Sequence, residues 1–336
     1  MFLALEFFWV ALFFILSILR NKFPMQEFAI CLGLGFLAFV SAVYAQGVDL
    51  AFEFGLKISI MLICCLFVIE NIRLASLTLL LGFITYLMFF QTFGLKGALL
   101  PAWTCILIPL FLYDFKDALK KINYIFIIIF FSALFIYFTF FSFRTQIFIF
   151  LLAILLYLFT SLSKPMIYFG PVLLFIFFVY FGSQFFYFYD DNIENISRSN
   201  IQRGFYNFYI LLFLPDFLFG KNIYVFSQEM WYMLPDLFAI TSYNTDEVDP
   251  HNIVGFFLLI AGIPGILLLF LIIFALTRNI SIKENKIISV MLISSLVAIL
   301  ALGSFSAPTR LSIAAIIGIL HAVTKHEKTD HNYNLF

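Results

Sequence analysis

Long apolar runs separated by short polar connections follow one another along most of the chain. A hydrocarbon core about 30 Å thick needs roughly 20 apolar residues per helix. On that criterion the pattern predicts eleven transmembrane helices. Their approximate ranges are 1–19, 28–46, 50–69, 73–93, 97–113, 123–142, 145–162, 165–184, 251–277, 286–304 and 309–324.

The connection over 189–250 is much longer than the others and holds two shorter apolar stretches, 205–219 and 223–240. Apolar stretches too short to cross a bilayer more often lie in its interface or re-enter it. We therefore expect short interfacial helices in this loop. The predicted fold is an all-α polytopic transmembrane helical bundle. Its segments are N-terminal transmembrane helices (1–188), the loop (189–250), C-terminal transmembrane helices (251–324) and a tail (325–336).

Composition supports lipid as the solvent, because 64% of the 336 residues are hydrophobic and only 11% are charged. Soluble domains are about half apolar and a quarter charged. The formal net charge of zero argues against a nucleic-acid partner. The four cysteines lie inside apolar runs without metal-ligand spacing, so we expect core or lipid-facing positions. They are Cys31, Cys64, Cys65 and Cys105. No metal and no cofactor is expected.

The distribution of lysine and arginine predicts the orientation, because cytoplasmic connections carry the basic excess. Placing the long loop in the periplasm leaves more basic residues inside than outside. The chain is then a multi-pass protein of the bacterial inner (plasma) membrane with a cytoplasmic C-terminus, and eleven spans require an external N-terminus. The residues assigned to the periplasmic side are Lys57, Lys96, Arg144, Arg198, Arg203, Lys221 and Arg310.

A histidine stands at the start of the ninth predicted span, in the sequence Asp249-Pro250-His251-Asn252. Steps of three and four residues place this histidine in one series with three glycines and a leucine on a single helix face. That series is His251, Gly255, Leu258, Gly262 and Gly265. Two interpretations stay open: an interfacial histidine above a helix-packing face, or a general base that acts on a sugar hydroxyl.

Three arginines stand on the same predicted side in a chain with few charges. Arg198 and Arg203 lie near the start of the loop, and Arg144 lies in a short turn between two apolar spans. Anchoring at the membrane surface is one interpretation. Capture of a phosphate or pyrophosphate, which the guanidinium fork fits well, is the other.

Two acidic groups also lie on the predicted periplasmic side: Asp246, Glu247 and Asp249 in the loop, and Asp49 with Glu53 at the outer end of the second and third spans. Metal binding is conceivable at each, but exposed carboxylates are common and a solvated loop is the favoured interpretation.

These features together resemble the O-antigen ligase and polymerase family of membrane glycosyltransferases, over about residues 140–280. The main match is His251-Asn252 followed by Gly262 and Gly265 in HNIVGFFLLIAGIPG. The order of Arg144, Arg198 and Arg203 is similar to the family pattern, with Leu214-Pro215 and Phe219-Gly220 downstream. The chain departs from the family at Phe143, where a serine is usual, at Phe205, Tyr206 and Phe208 in place of a tryptophan, and in its eleven rather than about twelve spans.

The resemblance implies a GT-C-like bundle and a metal-independent, inverting glycosyltransferase whose active site faces the periplasm. The donor would be a glycan on undecaprenyl pyrophosphate, and the acceptor a lipid A-core or other glycan hydroxyl in lipopolysaccharide biosynthesis. It implies a catalytic role for His251, as base or phosphate ligand, and donor pyrophosphate binding by Arg144, Arg198 and Arg203. Asn252, Gly255, Gly262 and Gly265 would form the structural motif. The oligomeric state is left open.

Three other functions are compatible with parts of the pattern. A polymerase that extends lipid-linked repeat units would use the same histidine and arginines. A transporter or flippase of lipid-linked oligosaccharides would place charges near the midplane on broken helices. Glu6 is the clearest charge well inside a predicted span, and the basic candidates cluster at the outer surface. A metal-dependent enzyme would need an acidic pair such as Asp49 with Glu53.

Overall fold

The computed structural model describes residues 2–93, 144–187, 206–210, 217–233, 252–280, 286–303 and 305–325. Over these ranges the chain is helical and contains no strand. The main helices are α1 (Phe2–Leu19), α2 (Met25–Glu70), α3 (Ile72–Phe93), α4 (Arg144–Leu158), α5 (Ser163–Tyr187), α6 (Ile223–Met233), α7 (Ile253–Thr277), α8 (Lys286–Leu302) and α9 (Ala307–Lys325). A short 3₁₀ helix, Thr160–Leu162, joins α4 to α5.

The connection between α1 and α2 contains one residue that ends the first helix and one that favours the start of the second. Asn21 adopts a left-handed conformation with φ of 49°, which asparagine tolerates better than most residues. Pro24 then stands immediately before α2, where a missing backbone N–H costs no helical hydrogen bond. The two helices therefore pack on each other as neighbours.

Helix α2 reverses direction at Gly47, whose φ of 76° and ψ of 175° are not helical. A Cβ atom placed on Gly35 would lie 2.8 Å from the carbonyl oxygen of Gly55, and one on Gly55 would lie 2.6 Å from that of Gly35. Twenty residues of straight helix would separate these positions by about 30 Å. The first arm (25–46) and the second arm (48–70) therefore lie side by side, in agreement with the predicted spans 28–46 and 50–69.

Helix α7 also reverses, at Gly262, where φ is 65° and ψ is −147°. A Cβ atom on Gly265 would overlap the carbonyl oxygen of Phe257, eight residues earlier. In a straight helix the rise between those positions is about 12 Å. Pro264 is compatible with the start of the second helical segment, because the N–H groups of the first residues of a helix have no partner within the helix. The predicted span 251–277 is thus a first arm (253–261) folded against a second arm (263–277).

The centre of the bundle is formed by α8 and α9, which are buried over 288–301 and 310–320. Helix α9 packs on α1, α2 and α8, while α8 also packs on α4 and α5. Cys31, Cys64 and Cys65 are buried in the core, in agreement with the expectation from sequence. Cys105 lies outside the described residues.

Large apolar side chains cover the outward surfaces of the helices, as at Phe36, Leu267 and Leu19. Extended apolar surface of this kind is a property of proteins that contact membranes. Within the described ranges, α2 and α7 are long and apolar enough to cross a membrane by length and composition. The reversals at Gly47 and Gly262 divide each of these two helices into two shorter arms.

The all-helical character of the prediction is confirmed for the described residues. Helices α1, α3, α4, α5, α8 and α9 begin and end within a few residues of predicted spans. The predicted spans 97–113 and 123–142 lie outside the described residues, so a bundle of eleven spans stays a prediction. In the long loop, α6 is a short helix of 11 residues, in accord with the expected type of structure.

Candidate functional site

Asn252 fixes the start of α7 to the centre of the bundle. Its side chain caps the helix, since Oδ1 accepts a hydrogen bond from the backbone N–H of Gly255 at 3.1 Å. Its Nδ2 donates to the carbonyl oxygen of Ala301 on α8 at 2.5 Å. Asn252 is 1% exposed. Both polar ends of one buried amide are therefore used, one for a local cap and one for a tertiary contact.

The other predicted site residues are described only in part. His251, Arg198 and Arg203 lie outside the described residues. Arg144 is the first residue of α4, but its side chain lies outside the described part. The structure places four of the predicted residues at the start of α7 or within it: Asn252, Gly255, Gly262 and Gly265. The roles assigned to the histidine and the arginines stay predictions.

The proposed continuous helix face of His251, Gly255, Leu258, Gly262 and Gly265 is wrong. The face requires an unbroken α-helix, whereas Gly262 is not helical and the chain reverses there. Gly262 serves a different purpose. A Cβ on it would lie 2.5 Å from the backbone nitrogen of Gly220, so the glycine allows close backbone approach of the loop.

The two helix reversals meet the loop in a junction that is held by backbone groups. The N–H of Lys221 donates to the carbonyl of Leu259 at 2.8 Å, and the N–H of Ile263 donates to Leu218 at 3.0 Å. The Gly262 break leaves these helix groups without partners in α7, and the loop supplies them. Gly220, with a φ of 87°, makes the required turn.

Gln46, the last residue of the first arm of α2, completes this junction. Its Nε2 donates to the carbonyls of Lys221 at 2.6 Å and Ile260 at 3.1 Å, and its Oε1 accepts from the N–H of Ile223 at 3.1 Å. It is 4% exposed. Sequence reasoning missed Gln46, because a lone glutamine in an apolar run gives no signal of partners that lie 175 or more positions away.

The loop also carries a partly exposed ion pair between Lys221 and Glu229. The Tyr209 hydroxyl donates to the same carboxylate at 3.5 Å. Beneath the pair, Phe226 packs against the rings of Tyr206, Tyr209 and Phe217. Burial raises the pKa of the Tyr206 phenol, so that group stays neutral. These rings belong to the same hydrophobic core as the bundle helices, so the described part of the loop packs as part of the bundle.

A second ion pair is fully buried between α1 and α9. Arg310 binds Glu6 through Nε at 2.9 Å and through Nη2 at 2.8 Å, and its Nη1 donates to the carbonyl of Phe305 at 3.0 Å. The two side chains are 4% and 1% exposed. The sequence indicated Glu6 as an unusual charge but assigned Arg310 to a connection, so the pairing was missed.

Within the described ranges, no three histidine, cysteine, aspartate or glutamate side chains group as a metal site would require. The arrangement instead offers a rigid junction between helix reversals and loop, and a helix start that is tied to the bundle beside position 251. Comparison with known proteins adds no identification: no family model, no curated protein and no solved structure matches the chain.

Proposed function

We propose that the chain is an O-antigen ligase-type glycosyltransferase, which moves a glycan from undecaprenyl pyrophosphate to a sugar hydroxyl of lipid A-core. The proposal rests on the sequence resemblance around His251 and the three arginines. The structural observation that supports it best is the anchoring of Asn252 to Gly255 and Ala301. A catalytic group at a helix start is useful only if that start is held in place.

In the proposed reaction, His251 accepts the proton of the acceptor hydroxyl while that oxygen attacks the anomeric carbon of the donor. The bond from this carbon to the pyrophosphate oxygen breaks on the opposite face, which inverts the configuration. Negative charge gathers on the leaving pyrophosphate, and Arg144, Arg198 and Arg203 stabilise it. One well-placed donor of this kind is worth about 3 to 4 kcal/mol of barrier. No metal or nucleotide sugar takes part.

The test is a reconstituted transfer reaction with purified protein, undecaprenyl-pyrophosphate glycan and lipid A-core. His251→Ala should abolish the product, while His331→Ala, a histidine in the C-terminal tail, serves as the matched control. Wild-type transfer by a well-folded His251→Ala protein would overturn the catalytic assignment.

Cells that lack the gene separate the ligase from its relatives. Loss of long glycan on lipid A-core, with full-length chains retained on the prenyl carrier, is the result expected for a ligase. A single repeat unit on the core would indicate a polymerase instead.

The second candidate is a transporter of lipid-linked oligosaccharides. The observations that favour it are the broken helix at Gly262 and the buried charges of Glu6 and Arg310, since transporters use broken helices and intramembrane charges. Vesicles with the donor in one leaflet distinguish the two. A transporter moves the donor without any acceptor, whereas a ligase consumes it only when lipid A-core is present.

A further inference from the structure

Two columns of large side chains lie on the outer surface of the bundle, one on the first arm of α2 and one on the second arm of α7. The members of each column are four positions apart, so they follow one face of their helix over about 12 Å. Each is at least 42% exposed. They are Phe36, Val40 and Tyr44 on α2, and Ile263, Leu267 and Leu271 on α7.

The loop joins these columns at the end where both helices reverse. Leu218 and Phe219, here called the loop tip, are 43% and 61% exposed. The ring centres of Phe219 and Tyr44 are 5.9 Å apart, and the carbonyl of Leu218 accepts a hydrogen bond from the N–H of Ile263 at 3.0 Å. The loop tip and the two columns therefore form one exposed apolar surface.

Backbone hydrogen bonds hold the loop tip in this place. The N–H of Lys221 donates to the carbonyl of Leu259 at 2.8 Å, and the carbonyl of Lys221 accepts from Nε2 of Gln46 at 2.6 Å. Gly220 makes the turn that precedes these contacts, with a φ of 87°. Because Leu218 is bonded to α7 and Lys221 to both α7 and α2, the loop tip cannot turn inward without breaking these bonds.

The exposed side chains of the loop change from apolar to polar within α6. Tyr224 and Val225, in its first turn, are 50% and 45% exposed. Phe226 and Ser227 are buried, and the next exposed residue is Gln228. Tyrosine is enriched where a membrane meets water, because its ring is apolar and its hydroxyl is polar. The change from Tyr224 to Gln228 is therefore the pattern expected of a helix that leaves hydrocarbon for water.

The charge of Lys221, two residues after Phe219, is compatible with a nearby membrane surface. Its side chain is 20% exposed, forms an ion pair with Glu229 and lies over the ring of Phe217 at 5.5 Å. Charged side chains in or near a membrane are tolerated when they pair with one another or extend towards water. Glu229 directly follows Gln228, so the pair lies towards the polar end of α6.

We infer that the loop tip lies in the hydrocarbon of the membrane, beside the acyl chains that cover the two columns, and that the membrane surface crosses α6 between Val225 and Gln228. Lipid fits this surface better than another helix does. Helices that associate within membranes meet through small residues that allow close approach, whereas Phe36, Leu267 and Phe219 are large. This inference does not depend on the proposed glycosyltransferase activity.

The first test measures the surroundings of spin labels at single cysteines in lipid nanodiscs, on a background with the four native cysteines replaced by alanine. Oxygen enters hydrocarbon and a polar nickel chelate does not, so the ratio of their collision rates should be about fivefold higher for Phe219→Cys than for Gln228→Cys. Leu267→Cys is the lipid-facing reference. A ratio at position 219 as low as that at 228 would place the loop tip in water and overturn the inference. Low rates with both probes at 219 would show a cover of protein and overturn it as well.

The second test leaves the native cysteines in place, so it stands even if the cysteine-free background fails to fold. The photoreactive residue benzoylphenylalanine replaces Phe219, or Gln228 as the matched control, and the full chain is irradiated in phospholipid nanodiscs. Phospholipid adducts should form about fivefold more at position 219 than at 228, because acyl chains lie below the polar interface. Equal yields of lipid adduct at the two positions, or cross-linking of position 219 mainly to a second protein chain, would contradict the inference.

Discussion

Gln46 donates a hydrogen bond to the carbonyl oxygen of Ile260, 214 positions later in the chain, at 3.1 Å. This contact joins the end of the first arm of α2 to the end of the first arm of α7, just before each helix reverses at a glycine. Buried backbone groups that have no partner within a helix need hydrogen-bond partners elsewhere. Gln46 supplies some of these partners and ties the loop to both reversals.

Replacing Gln46 should loosen the loop. Gln46→Leu leaves the carbonyls of Lys221 and Ile260 without this donor, and each unsatisfied buried group costs about 1–3 kcal/mol. Hydrogen exchange at the amide of Ile223, which donates to Gln46, should become faster. The control is Gln26→Leu, an exposed glutamine on the same arm. Equal exchange in both variants would contradict the role of the junction.

Alanine at Gly262 should destabilise the protein. The residue has a φ of 65°, which costs an L-residue about 1–2 kcal/mol, and the added Cβ would lie 2.5 Å from the nitrogen of Gly220. We expect a lower apparent Tm for purified Gly262→Ala. Gly33→Ala is the matched control, because a Cβ there meets nothing within 4 Å. A control that loses as much stability would show that the effect is not specific to the reversal.

Substitutions at Asn252 should separate the cap from the tertiary contact. Asn252→Ser retains an oxygen that can cap α7 but cannot reach Ala301, whereas Asn252→Ala loses both. Loss of a cap costs about 0.5–2 kcal/mol. We expect Tm to fall in the order wild type, serine variant, alanine variant. If the proposed function is right, both variants should also lose transfer, and full transfer by Asn252→Ala would oppose a positioning role.

Breaking the Glu6–Arg310 pair should be more damaging than replacing it. A buried charge without its partner costs about 3–5 kcal/mol, while an apolar pair of similar size is often tolerated. Glu6→Leu and Arg310→Met are each expected to lower Tm strongly, and the double variant should recover much of the loss. A double variant that is as unstable as the sum of the single variants would argue against direct coupling.

Hydropathy predicted most helices because a run of apolar residues long enough to cross a bilayer is a local feature of the sequence. It placed the break between the arms of α2 correctly, since polar Gln46 and Asp49 flank Gly47. It missed the break at Gly262, because Ala261-Gly262-Ile263-Pro264 is apolar throughout and a proline suggests a bend more readily than a reversal.

The candidate site was less predictable because its contacts are non-local. Asn252 was identified as a part of the motif, but its bond to Ala301 depends on how α8 packs. Gln46 and Arg310 have partners 175 to 304 positions away, and nothing in their local sequence specifies these partners. The positions of His251, Arg198 and Arg203 stay predictions.

The Glu6–Arg310 pair has a consequence for biosynthesis. The ribosome makes Glu6 at the beginning of the chain and Arg310 304 residues later. At the usual translation rate of about 5–20 residues per second, roughly 15–60 seconds pass between the synthesis of Glu6 and that of Arg310. During that interval α1 carries an uncompensated acidic side chain while the intervening helices are inserted. Assembly of α1 into its final place is therefore completed only when Arg310 in α9 has been translated.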